Sequence, residues 1–163
     1  MKLIPLTQGQ FAIVDDDEFE YISRFNWHSI RSSARNVWYA ARTGRSSSGK
    51  EVRIPIQREI MRLSIEDERV IDHKDGNGLN NQKCNLRICT VQDNARNRPS
   101  WGKSKYKGVT RRASTGKWIA RICINYESVY IGIFAEEYDA ALAYNLKAEE
   151  VFGEFARLNE VSQ

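Results

Sequence analysis

Residues 70 to 97 run Val-Ile-Asp-His-Lys-Asp-Gly-Asn-Gly-Leu-Asn-Asn, then Gln-Lys-Cys, then Asn85-Leu86-Arg87-Ile88 and a short stretch through Asn94. His73, one of two histidines in the chain, stands directly beside the carboxylate of Asp72. Phosphodiester hydrolysis needs an activated water, a proton acceptor for it, and positive charge where the phosphate becomes more negative. An imidazole with an ordinary pKa near ~6.5 can take that proton at cellular pH. A hard cation such as Mg²⁺ prefers oxygen ligands and keeps waters and phosphate oxygens in its shell. His73 is therefore the candidate proton acceptor, and Asp72 and Asn94 are candidate oxygen ligands. The simpler reading is a polar turn carrying a hydrogen-bonded surface histidine. Asn85, the Asn-Leu-Arg strand and Asn94, all in register with Asp-His, favour a reaction centre. His28, beside Trp27, has no such company and reads as structural.

Such a centre needs a frame of strand, loop, strand and helix. The loop from Lys74 to Lys83 carries the Gly76-Asn77-Gly78 and Asn80-Asn81 clusters, and Asn85 reads as the structural amide that clamps it across its backbone. Leu86 and Ile88 alternate inward on the second strand, and Thr90 is a good N-cap for the helix presenting Asn94. Adjacent strand residues face opposite sides, so the first strand must end or bend where Asp72 and His73 meet one ion.

Upstream, strands are expected at Leu3 to Leu6, Phe11 to Val14, Trp27 to Ser32, Val37 to Arg42 and Glu51 to Ile56. Helices are expected from Asp16 to Phe25, with acids in its first turn, and from Gln57 to Leu63. Gly44 to Gly49 reads either as a flexible hairpin loop or as an ordered phosphate contact.

The block from Val70 to Asn97 resembles the HNH endonuclease family and its ββα-metal finger, in the variants found in phage and intron-encoded homing endonucleases. There Asp-His opens the motif, Asn-Leu-Arg marks the second strand and an Asn on the helix closes it. The resemblance implies His73 as general base, Asp72 and Asn94 as metal ligands and Asn85 as the structural asparagine. Asn94 in place of a closing histidine suits Mg²⁺, or Mn²⁺, better than zinc. Relatives often carry a histidine near the position of Gln57.

Beyond Asn97 to Ser104, which reads as a linker, the chain changes character. Seven bases and no acid lie between Lys103 and Arg121, and six bases and no acid between Tyr21 and Lys50. From Ile122 to Gln163 there are eight acids against two bases. Charge segregated in this way points to a polyanion partner. Strands are expected at Tyr106 to Ala113, Lys117 to Asn125 and Ser128 to Ala135, followed by a helix from Glu136 to Phe152. Alternation gives a core face with Trp118, Ala120, Ile122, Ile124, Val129, Ile131 and Ile133, onto which the helix lays Tyr138, Ala141, Ala148 and Val151. The opposite face carries Thr110, Arg112, Arg121, Cys123, Ser128 and Tyr130. It reads either as a DNA-binding surface or as the solvated side of an ordinary domain.

Tyr106-Lys107-Gly108-Val109, Gly116-Lys117-Trp118, Tyr130-Ile131-Gly132-Ile133-Phe134 and Asp139-Ala140-Ala141 resemble the Apetala/ethylene-response-factor DNA-binding domain over about Ser104 to Asn159. The resemblance implies major-groove contacts by Lys107, Thr110, Arg112, Arg121 and Tyr130, with Thr110 and Cys123 standing where plant members usually have arginine.

The 163 residues, 41% of them hydrophobic and 28% charged, suit small packed domains with no membrane span. The first residues lack a secretory signal, and Cys84, Cys89 and Cys123 lack paired metal spacing, so reduced thiols in an intracellular, cytoplasmic protein are expected. The fold expected is α+β. A nuclease domain spans 1–98, with the finger at about 70–97, a linker spans 99–104, and an antiparallel three-stranded sheet packed on one helix spans 105–163. The function expected is a metal-dependent, site-preferring DNA endonuclease that nicks or cuts both strands, with double-stranded DNA as partner and no obligate protein partner. A non-catalytic DNA-binding regulator and an RNA-directed nuclease are the rivals.

Overall fold

The computed structural model describes residues 1–33, 36–97 and 103–161. Contacts divide the chain into two compact units, Met1–Val91 and Gln92–Gln163. The architecture is α+β, with small antiparallel sheets and four α-helices among the described residues. Most of the expected linker falls on 98–102, outside the described residues. No helix is long and apolar enough to cross a membrane.

In the first unit β1 (Lys2–Pro5) pairs with β2 (Phe11–Val14), and alternation turns Ile4, Ala12 and Val14 inward. Helix α1 (Asp16–Ile22) opens on Asp16, Asp17 and Glu18, which suit the positive end of the helix dipole. It stops short of the expected Phe25, because the amides of Arg24 and Phe25 turn to the carbonyls three residues back, those of Tyr21 and Ile22; the Trp27 indole N–H also donates to the Ile22 carbonyl at 2.8 Å, and its ring is buried. The second sheet is β3 (His28–Ser32), β4 (Val37–Arg45) and β5 (Glu51–Pro55), followed by α2 (Ile56–Ile60). These elements bury one core that includes Ile4, Val14, Ile22, Trp27, Ile56 and Leu86. The β4–β5 loop is closed by its own bonds, and the Ser47 amide donates to Glu66 Oε1 at 2.8 Å. The Glu66 carboxylate thus takes the Ser47 amide, and the loop stands as a closed hairpin connection.

Strands β6 (Val70–His73) and β7 (Leu86–Cys89) pair antiparallel, with Asp72 opposite Arg87 and His73 opposite Leu86. Leu86 is buried as expected, but Ile88 is exposed and Arg87 is buried in its stead. The pairing register explains the exchange, because Arg87 faces the Asp72 carboxylate and is neutralised there.

In the second unit, α3 (Val91–Arg96) crosses the division and precedes β8 (Val109–Arg111), β9 (Trp118–Ile124) and β10 (Glu127–Phe134), with β9 in the middle, and then α4 (Glu137–Phe152). Strand β8 is shorter than expected at both ends. Gly108 sits at φ 75° with the Tyr144 ring within 2.1 Å of where a Cβ would lie, so the chain is not yet extended there. Arg112 already belongs to the turn, its carbonyl accepting the Thr115 and Gly116 amides. Asn125 and Tyr126, at φ 50° and 69°, form a two-residue hairpin turn of the type whose twist matches antiparallel strands. A bulge between Tyr130 and Gly132 adds a residue to β10 and reverses the alternation beyond it. Ile133 is therefore 38% exposed, opposite Ile119, and Phe134 packs inward beside Trp118 in its place. Helix α4 buries Ala140, Ala141, Tyr144, Ala148 and Phe152, while Tyr138 and Val151 are only half-buried. The alanines bring the helix close to the sheet.

Candidate functional site

His73 is the last residue of β6, and its carbonyl accepts the Gly76 amide in the turn that follows. The strand ends at His73, and Asp72 and His73 are each 5% exposed. The Asp72 carboxylate takes two bonds from Arg87, from Nε at 3.0 Å and Nη2 at 2.7 Å. The His73 Nε2 lies 3.1 Å from Asn81 Oδ1, and the Tyr39 ring meets the imidazole edge-on with centroids 6.1 Å apart. Burial pushes the imidazole below its ordinary value, against weaker raising effects of the Asn81 bond and the Asp75 and Asp72 charges. A ring held this way is neutral at cellular pH, the state that can accept a proton.

The loop between the two strands is tied down by side chains. Asn85 Oδ1 accepts the Asp75 amide at 3.1 Å, and its Nδ2 donates to Asp75 Oδ1 at 3.0 Å and to the Asn80 carbonyl at 2.8 Å. Asp75 also accepts from the Asn77 amide and from Asn80 Nδ2, both at 2.8 Å. Burial opposes ionisation of Asp75, yet the bonds from Asn80, Asn77 and Asn85 overcome it and hold the carboxyl below its usual range. The strand-to-strand turn is thus stiff on the side of His73.

Asn94 lies on α3, in the second unit by packing. Three residues at this site escaped sequence reasoning. Arg87 was seen only as part of an Asn-Leu-Arg strand, although the register places it opposite Asp72. Asn81 was read as turn composition, and Tyr39 was one aromatic among many in a distant strand.

The outer face of the β8–β9–β10 sheet carries Thr110, Arg121, Cys123, Ser128 and Tyr130, all exposed, with Tyr130 directly opposite Arg121. Arg112 is exposed in the adjoining turn. The side chains of Arg112 and Arg121 meet no hydrogen-bond or ion-pair partner among the described residues. Lys107 differs, because its ammonium donates to the Arg96 carbonyl. The face therefore combines available guanidinium groups with an aromatic ring, a chemistry suited to base edges and phosphates.

No family model matches this chain. Dehydration-responsive element-binding protein 2C of Arabidopsis thaliana is 40% identical over 63 residues, 37% of this chain and 18% of its own length. AP2-like ethylene-responsive transcription factor AIL7 of the same plant is 45% identical over 51 residues, 30% of this chain and 10% of its own. The chain thus spans a small part of the plant proteins. An uncharacterized HNH endonuclease, L560, of Acanthamoeba polyphaga mimivirus is 34% identical over 158 residues, 94% of this chain and 77% of that protein. Because that viral match runs through nearly the whole chain, the Asp-His strand, the clamped loop and the Asn-Leu-Arg strand included, this chain belongs to the HNH endonuclease family.

Proposed function

We propose that this protein is a divalent-cation-dependent DNA endonuclease of the homing type, cutting at preferred sites. The observation that carries the reading is His73 at the end of β6, buried and held neutral, beside Asp72 and ahead of the Asn85-Leu86-Arg87 strand. His73 takes a proton from a water, whose oxygen bonds to phosphorus as the bond from phosphorus to the leaving sugar oxygen breaks. Solvent then protonates that oxygen.

Asp72 and Asn94 are the proposed cation ligands. A carboxamide at Asn94, where a zinc site would use histidine or cysteine, favours a hard ion. One carboxylate and one carboxamide fit Mg²⁺ or Mn²⁺, which take few protein oxygens and complete their shell with water and phosphate. When bound, such an ion supplies positive charge at the phosphate and the leaving oxygen. Arg87 keeps the Asp72 side chain in one orientation.

The sheet unit supplies the address. Arg121, Arg112, Thr110 and Tyr130 contact bases and backbone, and Lys107 adds a phosphate contact if it leaves the Arg96 carbonyl. Support comes from the exposed guanidinium groups, which have no partner among the described residues, and from a plant relative named as an element-binding protein.

The test is supercoiled plasmid with Mg²⁺, with Mn²⁺ and with chelator. Nicked circles are the expected first product, since one finger makes one cut at a time. Chelation should stop cutting while DNA binding persists. His73→Ala should slow cutting by at least ~10²-fold, the scale of a lost general base, with DNA affinity intact. A His73→Ala variant as fast as wild type would show the assignment of the base to be wrong. The second reading, a DNA-binding regulator with a structural finger, draws on the Asp72–Arg87 pair, in which the carboxylate already has a cationic partner. A wild-type protein that binds DNA but leaves the plasmid supercoiled with either ion would select it.

A further inference from the structure

Asn81 is fully buried, and every polar part of its side chain is engaged by the finger itself. Its Oδ1 lies 3.1 Å from His73 Nε2, and its Nδ2 donates to the Gly78 carbonyl at 3.4 Å. Its backbone is held from another direction. The Asn81 amide donates to the Ile13 carbonyl at 2.8 Å, and the Ile13 amide donates to the Leu79 carbonyl at 2.8 Å, so this part of the loop is laced to β2 like an added parallel strand. Gly78 leaves no freedom on the other side. A Cβ there would lie 2.4 Å from the Tyr39 ring and 2.5 Å from the Trp38 carbonyl, and Tyr39 is the ring packed against His73.

These ties decide the chemistry of the carboxamide. With Nδ2 facing a carbonyl oxygen, Oδ1 must face the imidazole, and an amide oxygen can only accept. The nitrogen opposite it, Nε2, therefore bears the hydrogen, and the neutral ring carries its lone pair on Nδ1.

We propose that Asn81 is a positioning residue for His73, fixing both the plane of the imidazole and its Nε2–H tautomer so that Nδ1 is the atom that accepts the proton of water. The proposal rests on His73 being the general base. When the proton arrives on Nδ1, the Nε2–H bond to Asn81 is kept, so the ring need not turn during the reaction. Asn81 is fully buried and acts only through His73.

The experiment compares full-length wild type with Asn81→Leu, which removes both polar atoms at similar volume, and Asn81→Asp, which keeps an oxygen acceptor at the same place. Single-turnover plasmid cleavage, DNA affinity and the ¹⁵N signals of the His73 ring are measured on each. Asn81→Leu is expected to cut ~10–100-fold more slowly, the usual effect of losing a partner that orients a site group, with affinity unchanged within about twofold. Its His73 signals should show mixed tautomers. Asn81→Asp should recover most of the rate and the Nε2–H signature. A wild-type ring carrying its hydrogen on Nδ1 overturns the proposal even if the leucine variant fails to fold. So does an Asn81→Leu variant with wild-type rate and tautomer, or an Asn81→Asp variant as slow as Asn81→Leu. His73→Ala in the same assay separates the two ideas. Undiminished cutting by it removes the base, whereas abolished cutting beside an unaffected Asn81→Leu removes only the positioning role.

Discussion

Around His73 the polar groups are tied to protein partners, the buried Asp72 to Arg87, the buried His73 to Asn81 and the more exposed Asp75 to the buried Asn85, whereas on the β8–β9–β10 sheet Arg112 and Arg121 lie in solvent without a partner among the described residues. The contrast fits the two roles proposed for these surfaces. A reacting centre gains from groups already held in place, because their ordering is complete before substrate arrives. A surface that meets a nucleic acid gains from charges left available, which trade water and counterions for phosphate and base edges. The same residue type, arginine, is a structural element in one unit and a candidate reader in the other.

The comparison breaks most visibly at Arg87. The Arg87 and Asp72 side chains are 9% and 6% exposed, so Arg87→Met leaves a buried carboxylate without this counter-charge. Loss of one partner of a buried pair costs about 3–5 kcal/mol, and urea unfolding of the variant should show it. Adding Asp72→Asn should return most of the loss, since the charge that lacked a partner is then gone. A double variant as unstable as Arg87→Met would mean that packing of the arginine stem, not charge, holds the strands together.

Arg121→Ala should behave in the opposite manner. Its exposed side chain has no hydrogen-bond or ion-pair partner among the described residues, so unfolding should shift by less than ~0.5 kcal/mol. DNA affinity should fall by about 1–3 kcal/mol if the guanidinium makes a bidentate guanine contact, and titration against labelled duplex measures it. Unchanged affinity in both Arg121→Ala and Arg112→Ala would leave the sheet face as ordinary solvated surface.

What could be read from the sequence divides along the same physical line. Phe11–Val14 was legible to the residue, because alternation and its flanking turn are local, and so was the order of strand, loop and strand around Asp72 and Asn85. Arg87 and Asn81 were not legible, because their partners are set by register across β6–β7 and by the loop lying on β2, contacts that no local pattern encodes. Ile133 was misplaced for a third reason, a single bulge residue in β10 that inverts every later position. The end of α1 falls three residues before the expected Phe25 because the chain tightens into i−3 turns at Arg24 and Phe25, a change of winding that the hydrophobic pattern does not mark.

The smallest expected effect sharpens the comparison furthest. Lys147 Nζ and Glu150 Oε1 on α4 lie 2.8 Å apart, nearly the same separation as the 2.7 Å between Arg87 and Asp72, but with side chains 34% and 67% exposed. The α4 pair is far better solvated than the Arg87–Asp72 pair, Glu150 above all, and ordering two long side chains offsets the modest attraction. Alanine at 147 also favours the helix slightly through its better propensity. Lys147→Ala should therefore change stability by less than ~0.5 kcal/mol, with little response to salt, in the same urea experiment that reports Arg87→Met. Two pairs alike in distance would then differ by several-fold in worth, and burial is the property that separates them. If Lys147→Ala proved as costly as Arg87→Met, desolvation would no longer explain why the finger ties its charges together while the sheet leaves them open.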